Sequence, residues 1–285
     1  MTKNALFIGL ITLDIIYLAP SPPQSNQKLV ANDYTLAAGG PATNASVTFS
    51  YLGNQAKLLG VLGSHPIQKL ITADLLKFRI KVIDLSTFTQ ESPPVSSITV
   101  TESTGERAVI SINAVKTQGE INSIPADILD NIDLILIDGH QMAVSKFIAE
   151  NAKNQNIPVV IDGGSWKPGF EEILPFVDYA ICSANFYPPN CHNKTEVFNY
   201  LQSFKIPHIA ITCGEQPIEY ISNNNIGLID VPKIKTVDTL GAGDIFHGAF
   251  CHYILQTNFI DALALASNIA GRACQYFGSR RWMEK

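Results

Sequence analysis

Val237-Asp238-Thr239-Leu240-Gly241-Ala242-Gly243-Asp244 joins the end of an extended run to the start of a helix. Thr236 and Val237 close the extended part. Gly241, Ala242 and Gly243 are small, so the backbone there can turn sharply and approach a ligand closely. Ile245, Phe246, Ala249, Phe250 and Ile254 then fall apolar at helical spacing. The helix therefore opens at Gly241–Gly243. Its free N–H groups and the positive end of its dipole form an anion site. Asp244 lies in the first turn beside it. A group that accepts a proton next to one that binds negative charge is what phosphoryl transfer to a hydroxyl requires. Taken alone, Asp244 has a second reading, as a first-turn acid favoured by the dipole.

The rest of the chain sets the bounds. Its 285 residues, 46% hydrophobic and 16% charged, suffice for one large core or two modest domains. A net charge of −5 gives no basic patch for nucleic acid. Cys182, Cys191, Cys213, Cys251 and Cys274 are odd in number and lack a C-x-x-C pair. Buried thiols in a reducing cytoplasm are the simple reading. Ala5–Ile11 follows Lys3 as a signal peptide would, but Asp14 interrupts it and a strand fits better. No stretch reaches the roughly 18 apolar residues of a membrane span.

Strand and helix patterns alternate along most of the chain. Ala5–Leu10 reads as a buried first strand ending near Gly9 and Asp14. Gly39-Gly40 and then Pro41 announce a helix to about Leu52. Strands are expected at Ala56–Leu62, Val82–Leu85, Leu134–Ile137, Val159–Asp162, Tyr179–Cys182 and His208–Thr212. Between and after them come helices at Ile67–Phe78, Ala143–Asn154, Thr195–Phe204, Ala242–Gln256 and Phe259–Phe277. Ile218–Ile221 and Gly227–Asp230 form an edge hairpin. This rhythm predicts an α/β fold, a mostly parallel sheet with helices on both faces and ligands at the C-terminal strand ends. Two β-only pieces, about 15–37 and 88–113, break the rhythm. The second holds a hairpin, Val95–Thr101 and Arg107–Ile112. They read as a small β lid on one domain spanning 1–285.

The octapeptide closely resembles the C-terminal signature, D-T-x-G-A-G-D, of the ribokinase-like (PfkB) carbohydrate kinases. Three further places carry the resemblance over the whole chain: Gly9-x-x-x-x-Asp14, Gly39-Gly40-x-x-x-Asn44 and Thr212-Cys213-Gly214. Gly271-Arg-Ala-Cys274 and Gly105-Glu-Arg-Ala108 look most like the ketohexokinase branch. The resemblance implies a ribokinase-like fold and ATP-dependent phosphorylation of a small sugar. Asp244 would be the general base, and Gly241, Ala242 and Gly243 the anion hole. Asp14, Gly39, Gly40 and Asn44 would line the sugar pocket. Arg107 would either meet the transferred phosphate or stay a solvated lid charge. Thr212, Gly214, Asn185 and Asn268 would lie on the nucleotide side. Mg2+ would accompany ATP, and a monovalent cation such as K+ would sit near Asp238. Exposed lid strands could pair two copies across a two-fold.

The departures concern substrate and metal. Many members carry N-x-x-E; here Asn185-Phe186-Tyr187-Pro188 keeps only the Asn. Pro41 and the acid-free segment Pro22–Gln27 depart from ketohexokinase at its sugar contacts, and His65 replaces a common Asp. His140 and Lys167 follow strands at the functional edge, where each is either a ligand contact or a satisfied polar residue. A nucleoside kinase of the same family and a catalytically weak nucleotide- or sugar-binding sensor stay open beside the sugar kinase.

Overall fold

In the computed structural model residues 2–112 and 117–284 are described; Asn113, the expected end of the second insertion, lies outside them. The strands that read as unbroken apolar runs form one nine-stranded sheet, in the order β13-β12-β11-β10-β9-β8-β1-β4-β5. Its parallel strands are β1 (Asn4–Ile8), β4 (Gln55–Gly60), β5 (Lys81–Asp84), β8 (Leu134–Ile137), β9 (Val159–Gly163), β10 (Tyr179–Ser183) and β11 (His208–Cys213). The antiparallel hairpin β12 (Gln216–Ser222) and β13 (Asn225–Ile229) closes one edge.

Both faces of this sheet are buried, which is why its strands do not alternate in polarity. In β8, Leu134 and Leu136 enter one core while Ile135 and Ile137 enter the other. The Leu134 side is covered by α1 (Pro41–Tyr51), α2 (Gln68–Lys77), α6 (Ala242–Ile254) and α7 (Phe259–Ala273). The Ile135 side is covered by α3 (Met142–Asn154), the short α4 (Phe170–Ile173) and α5 (Lys194–Ser203). Trp166 packs among Phe170, Phe186 and Tyr200, as a lone loop Trp usually does.

A second sheet has four strands, ordered β3-β2-β6-β7: β2 (Thr12–Ala19), β3 (Asp33–Gly39), β6 (Val95–Thr101) and β7 (Arg107–Ser111). It begins earlier than expected. Asp14 does not end the first strand but sits inside β2. The chain leaves the large sheet after Ile8, and Thr12–Ala19 pairs instead with β3 and β6. The apolar residues on both sides of this break, Ile8 to Ile11 and Ile15-Ile16, hide it in the sequence. Strand parity puts Asp14, Ile16 and Leu18 on one face. Ile16 and Leu18 pack with Ile98, Val100 and Phe277, and against Leu240 of the octapeptide. The opposite face carries Tyr17, Tyr34 and Ile110, all exposed. Helix α7 also stops sooner than its apolar pattern, at Ala273; the Cys274 carbonyl accepts from the N–H groups of Val237 and Asp238.

Helices α1 and α6 cross at Gly248, where any Cβ would overlap the backbone oxygen of Ala45. One turn earlier on α6 is Asp244, and beside Ala45 is Asn44. The missing side chain thus sets how near these two come. Gly248→Val should therefore lower stability by about 1–3 kcal/mol through overpacking. It should also cut turnover, because the crossing must widen. Thermal unfolding alongside kcat/KM checks this; a variant with unchanged melting and turnover would contradict it.

Candidate active site

Gly241 adopts φ 70° at the head of α6, a left-handed turn that a glycine makes without strain. Of the three residues expected to hold an anion, only Ala242 donates to a backbone neighbour among the described residues, to Thr239 O at 3.3 Å. A side chain at Gly243 would meet open space, so this end of the helix faces outward. Asp244 follows, and its Oδ2 accepts from Asn44 Nδ2 at 2.8 Å.

Asn44 is held from its other end. Its Oδ1 accepts from Arg280 Nη1 at 2.9 Å. The same guanidinium donates to Ala38 O at 2.7 Å and pairs with Asp74 of α2 at 3.3 Å. The Phe78 ring lies 5.6 Å from its central carbon. Burial pushes the Arg280 pKa down, opposed by the carboxylates of Asp74, Asp14 and Asp244. Sequence reading gave no role to Arg280 or Asp74. No local pattern could, since they meet Asn44 and Ala38 only through long-range packing.

Asp14 approaches from the small sheet. Thr12 Oγ1 donates to it at 2.9 Å. Burial raises its pKa, while Thr12, Ser96 and Arg280 pull the other way. Gly39 lies against it; a Cβ there would overlap the Asp14 carboxyl. Gly40 heads α1 with φ 103°. The sugar-pocket residues expected from sequence, Asp14, Gly39, Gly40 and Asn44, thus lie around one place, with Asp244 at its edge.

Arg107, at the start of β7, donates to Thr239 O at 3.2 Å and Thr239 Oγ1 at 3.0 Å. Thr239 N–H and Oγ1 both donate to Gly105 O. The β6–β7 tip of the small sheet is therefore docked on the octapeptide loop. Asp238 is 3% exposed and is used structurally: its carboxylate accepts from Leu240 N–H and Gly278 N–H, each at 2.8 Å.

The expected nucleotide-side residues stand at neighbouring strand ends or on α7. Thr212 ends β11, where its carbonyl accepts from Ala184 N–H at 2.8 Å. Gly214 turns at φ 55° into open space. Asn185 and Asn268 are exposed.

Deeper lie two more carboxylates, Asp138 at the end of β8 and Asp162 at the end of β9. Asp138 accepts from the N–H groups of Leu10, Ala42 and His140. Burial acts to raise its pKa, yet His140, those hydrogen bonds and Lys167 together hold it low. His140 and Lys167 thus both turn toward Asp138; the Lys167 ammonium lies 3.5 Å from its carbonyl. Among the described residues no cluster of three His, Cys, Asp or Glu side chains could hold a metal ion. No helix among the described residues is long and apolar enough to cross a membrane.

The model of pfkB family carbohydrate kinases matches residues 2–285. The chain belongs to that family. A ribokinase of Lactococcus lactis is 25% identical over 300 residues, covering 100% of this chain and 95% of that protein. Mouse ketohexokinase is 24% identical, covering 95% of this chain and 96% of that protein. The structure of an Arabidopsis thaliana ribokinase, complexed with ribose and ATP, superposes with a TM-score of 0.79 at 19% identity, covering 98% of this chain and 94% of that one. The large sheet with helices on both faces and the small separate sheet are the ribokinase-like fold.

In this pfkB member, burial and the nearby Asp162 charge push the Asp244 pKa up from 3.8 to about 6. A raised carboxyl contributes stability that is complete below its unfolded value and is lost as pH rises through its folded one. Near neutral pH the charged carboxylate should cost on the order of 1–3 kcal/mol. Asp244→Asn keeps an acceptor for Asn44 and removes that cost. It should melt higher than the parent at neutral pH, with the difference fading toward about pH 4. Thermal unfolding across pH reads this directly; a pH-independent difference would refute it.

Proposed function

We propose that the chain transfers the γ-phosphoryl group of ATP to a primary hydroxyl of a small sugar or sugar-like alcohol. The observation that carries this reading is the Asp244 carboxyl, fixed by Asn44 in the first turn of a helix whose N-terminal end is open. Asp14, Gly39, Gly40 and Asn44 hold the sugar hydroxyls. Asp244, poised at about 6, takes the proton from the acceptor hydroxyl. That oxygen forms the new bond to the γ-phosphorus, the bridging P–O bond breaks, and its electron pair leaves with ADP. The N–H groups of Gly241 and Gly243, with Ala242 between them, face the charge on the transferring group. Thr212, Gly214, Asn185 and Asn268 flank the nucleotide.

Mg2+ fits here as an ion that the phosphates would carry, since among the described residues no carboxylate cage stands ready for it. When bound, it supplies neutralisation of the phosphate charge. A monovalent cation such as K+, if held beside the Asp238 loop, would supply positive charge near the same helix end. Arg107 sits where the lid meets that loop and neutralises phosphate charge when the tip closes. The small sheet excludes water from the pocket. In this reading the two sheets work as one kinase domain, and dependence on ATP supports a cytoplasmic location.

The exposed Tyr17, Tyr34 and Ile110 face of the small sheet suits pairing with a second copy. Sedimentation should then give a dimer that Tyr34→Glu dissociates; a monomer at all concentrations would sink this part.

Assay with ATP against ribose, deoxyribose, fructose and a set of nucleosides tests the main reading. A sugar should be the best acceptor, and Asp244→Asn should lose on the order of 10²–10⁴-fold in turnover on it. A preference for nucleosides, or binding without turnover, would replace the reading.

A further inference from the structure

The buried Asn44 amide has two unlike ends. Oδ1 only accepts and Nδ2 only donates. Arg280 Nη1 donates to Oδ1 at 2.9 Å, and Nδ2 donates to Asp244 Oδ2 at 2.8 Å. A guanidinium offers no acceptor, so the amide cannot turn over while Arg280 stands beside it. Turned over, it would set N–H against N–H at the arginine and oxygen against oxygen at Asp244.

The guanidinium is itself held from several sides. Nη2 donates to the Ala38 carbonyl at 2.7 Å, and Nε to Asp74 Oδ2 at 3.3 Å. Nη1 also reaches Ser279 O at 3.3 Å and Ser279 Oγ at 3.2 Å. Asp74 in turn accepts from the Ala38 N–H at 3.0 Å. Strand β3 is an edge of the small sheet, so Arg280 and Asp74 together satisfy both free backbone groups of Ala38. Ala38 immediately precedes Gly39-Gly40 of the sugar side. Partners on β3, on α2 and on its own segment thus leave the guanidinium one place to stand.

We propose that Arg280 is a positioning residue that locks the polarity of the Asn44 amide. The lock keeps a donor on Oδ2 of Asp244, which fixes that carboxylate by one oxygen and leaves the other for the acceptor hydroxyl. The proposal rests on reading Asp244 as the base. The hydrogen bonds of Arg280 go to Asn44, Ala38, Asp74 and Ser279, so its hold on Asp244 passes through the amide. Asn44 without Arg280 would turn about its last bond and present lone pairs to the carboxylate as readily as N–H groups.

Arg280→Met alone would strand Asp74 without its counterion. The variant to use is Arg280→Met with Asp74→Asn, which removes both charges and keeps an acceptor for the Ala38 N–H. Arg280→Lys keeps the charge beside Asp74 but loses the fork that serves Asn44 and Ala38 together, and goes through the same two measurements. The first follows the side-chain NH2 protons of Asn44, assigned by their loss in Asn44→Ala. In each folded variant they should exchange with solvent about tenfold faster than in the parent, or more. Unchanged exchange overturns the proposal. The second is a mutant cycle on kcat at saturating sugar, where a loosened Ala38-Gly39 would show in KM instead. Each Arg280 variant should lose on the order of 10²-fold in kcat in the parent background. In Asn44→Ala it should lose no more than about twofold. Equal losses in both backgrounds would mean that Arg280 only supports the fold, and also overturn the proposal. The exchange measurement needs no turnover. A loss-free Asp244→Asn would therefore defeat the base assignment while the Asn44 protons still report on the lock.

Discussion

The crossing of α1 over α6 at Gly248 is the contact on which the rest of the pocket depends. It brings two helices that are far apart in sequence to backbone contact, and it does so within two turns of their N-terminal ends. Asn44 and Asp244 are consequently neighbours by packing. Their hydrogen bond is a product of where the helices touch, and the anion-binding end of α6 inherits its place from the same contact. The parallel sheet below supplies the base plate: through His247, α6 meets Asp162 near the end of β9 and the Ile181 carbonyl in the middle of β10.

A second constraint is charge. Asp14, Asp138, Asp162 and Asp244 are all gathered at the C-terminal strand ends and the adjoining lid, where water is scarce. Each is handled differently. Asp138 is held by backbone N–H groups with His140 and Lys167 beside it, and stays low. Asp14 and Asp162 are raised by burial. Asp244 reaches about 6, close to where a base must sit to work near neutral pH. Carboxyls gathered at one end of the sheet thus diverge because their burial and local donors differ, and that divergence supports the proposal that Asp244 is the reactive one.

Much of this was legible in the sequence, for local reasons. The apolar runs marked the parallel strands because both faces are buried, and small residues before an amphipathic run marked the anion-binding helix. The sugar-side residues carried a motif. The small sheet was seen as two insertions, yet its first strand was placed late, at about residue 15 instead of Thr12, because apolar residues flank the point where the chain changes sheets and nothing local marks it. The helix end at Ala273 was hidden by apolar residues that continue into the following segment and pack there, as Phe277 does against the lid core. Arg280, Asp74 and the Asp162–His247 pair left no trace at all. Their meaning lies in partners brought together by tertiary packing, and neither spacing nor composition encodes that.

The Arg280 clamp has a consequence for the order in which the molecule is made. Asn44 emerges early, while the guanidinium that holds it follows 236 residues later. Until that segment arrives, Asp74 lacks its strongest counterion and the Asn44 amide is free to turn. A growing chain can complete β1, β4 and α1 and still own no sugar pocket. Even when it has grown through α7 and carries every motif that identifies the family, it still lacks the charge that Arg280 brings to Asn44 and Asp74.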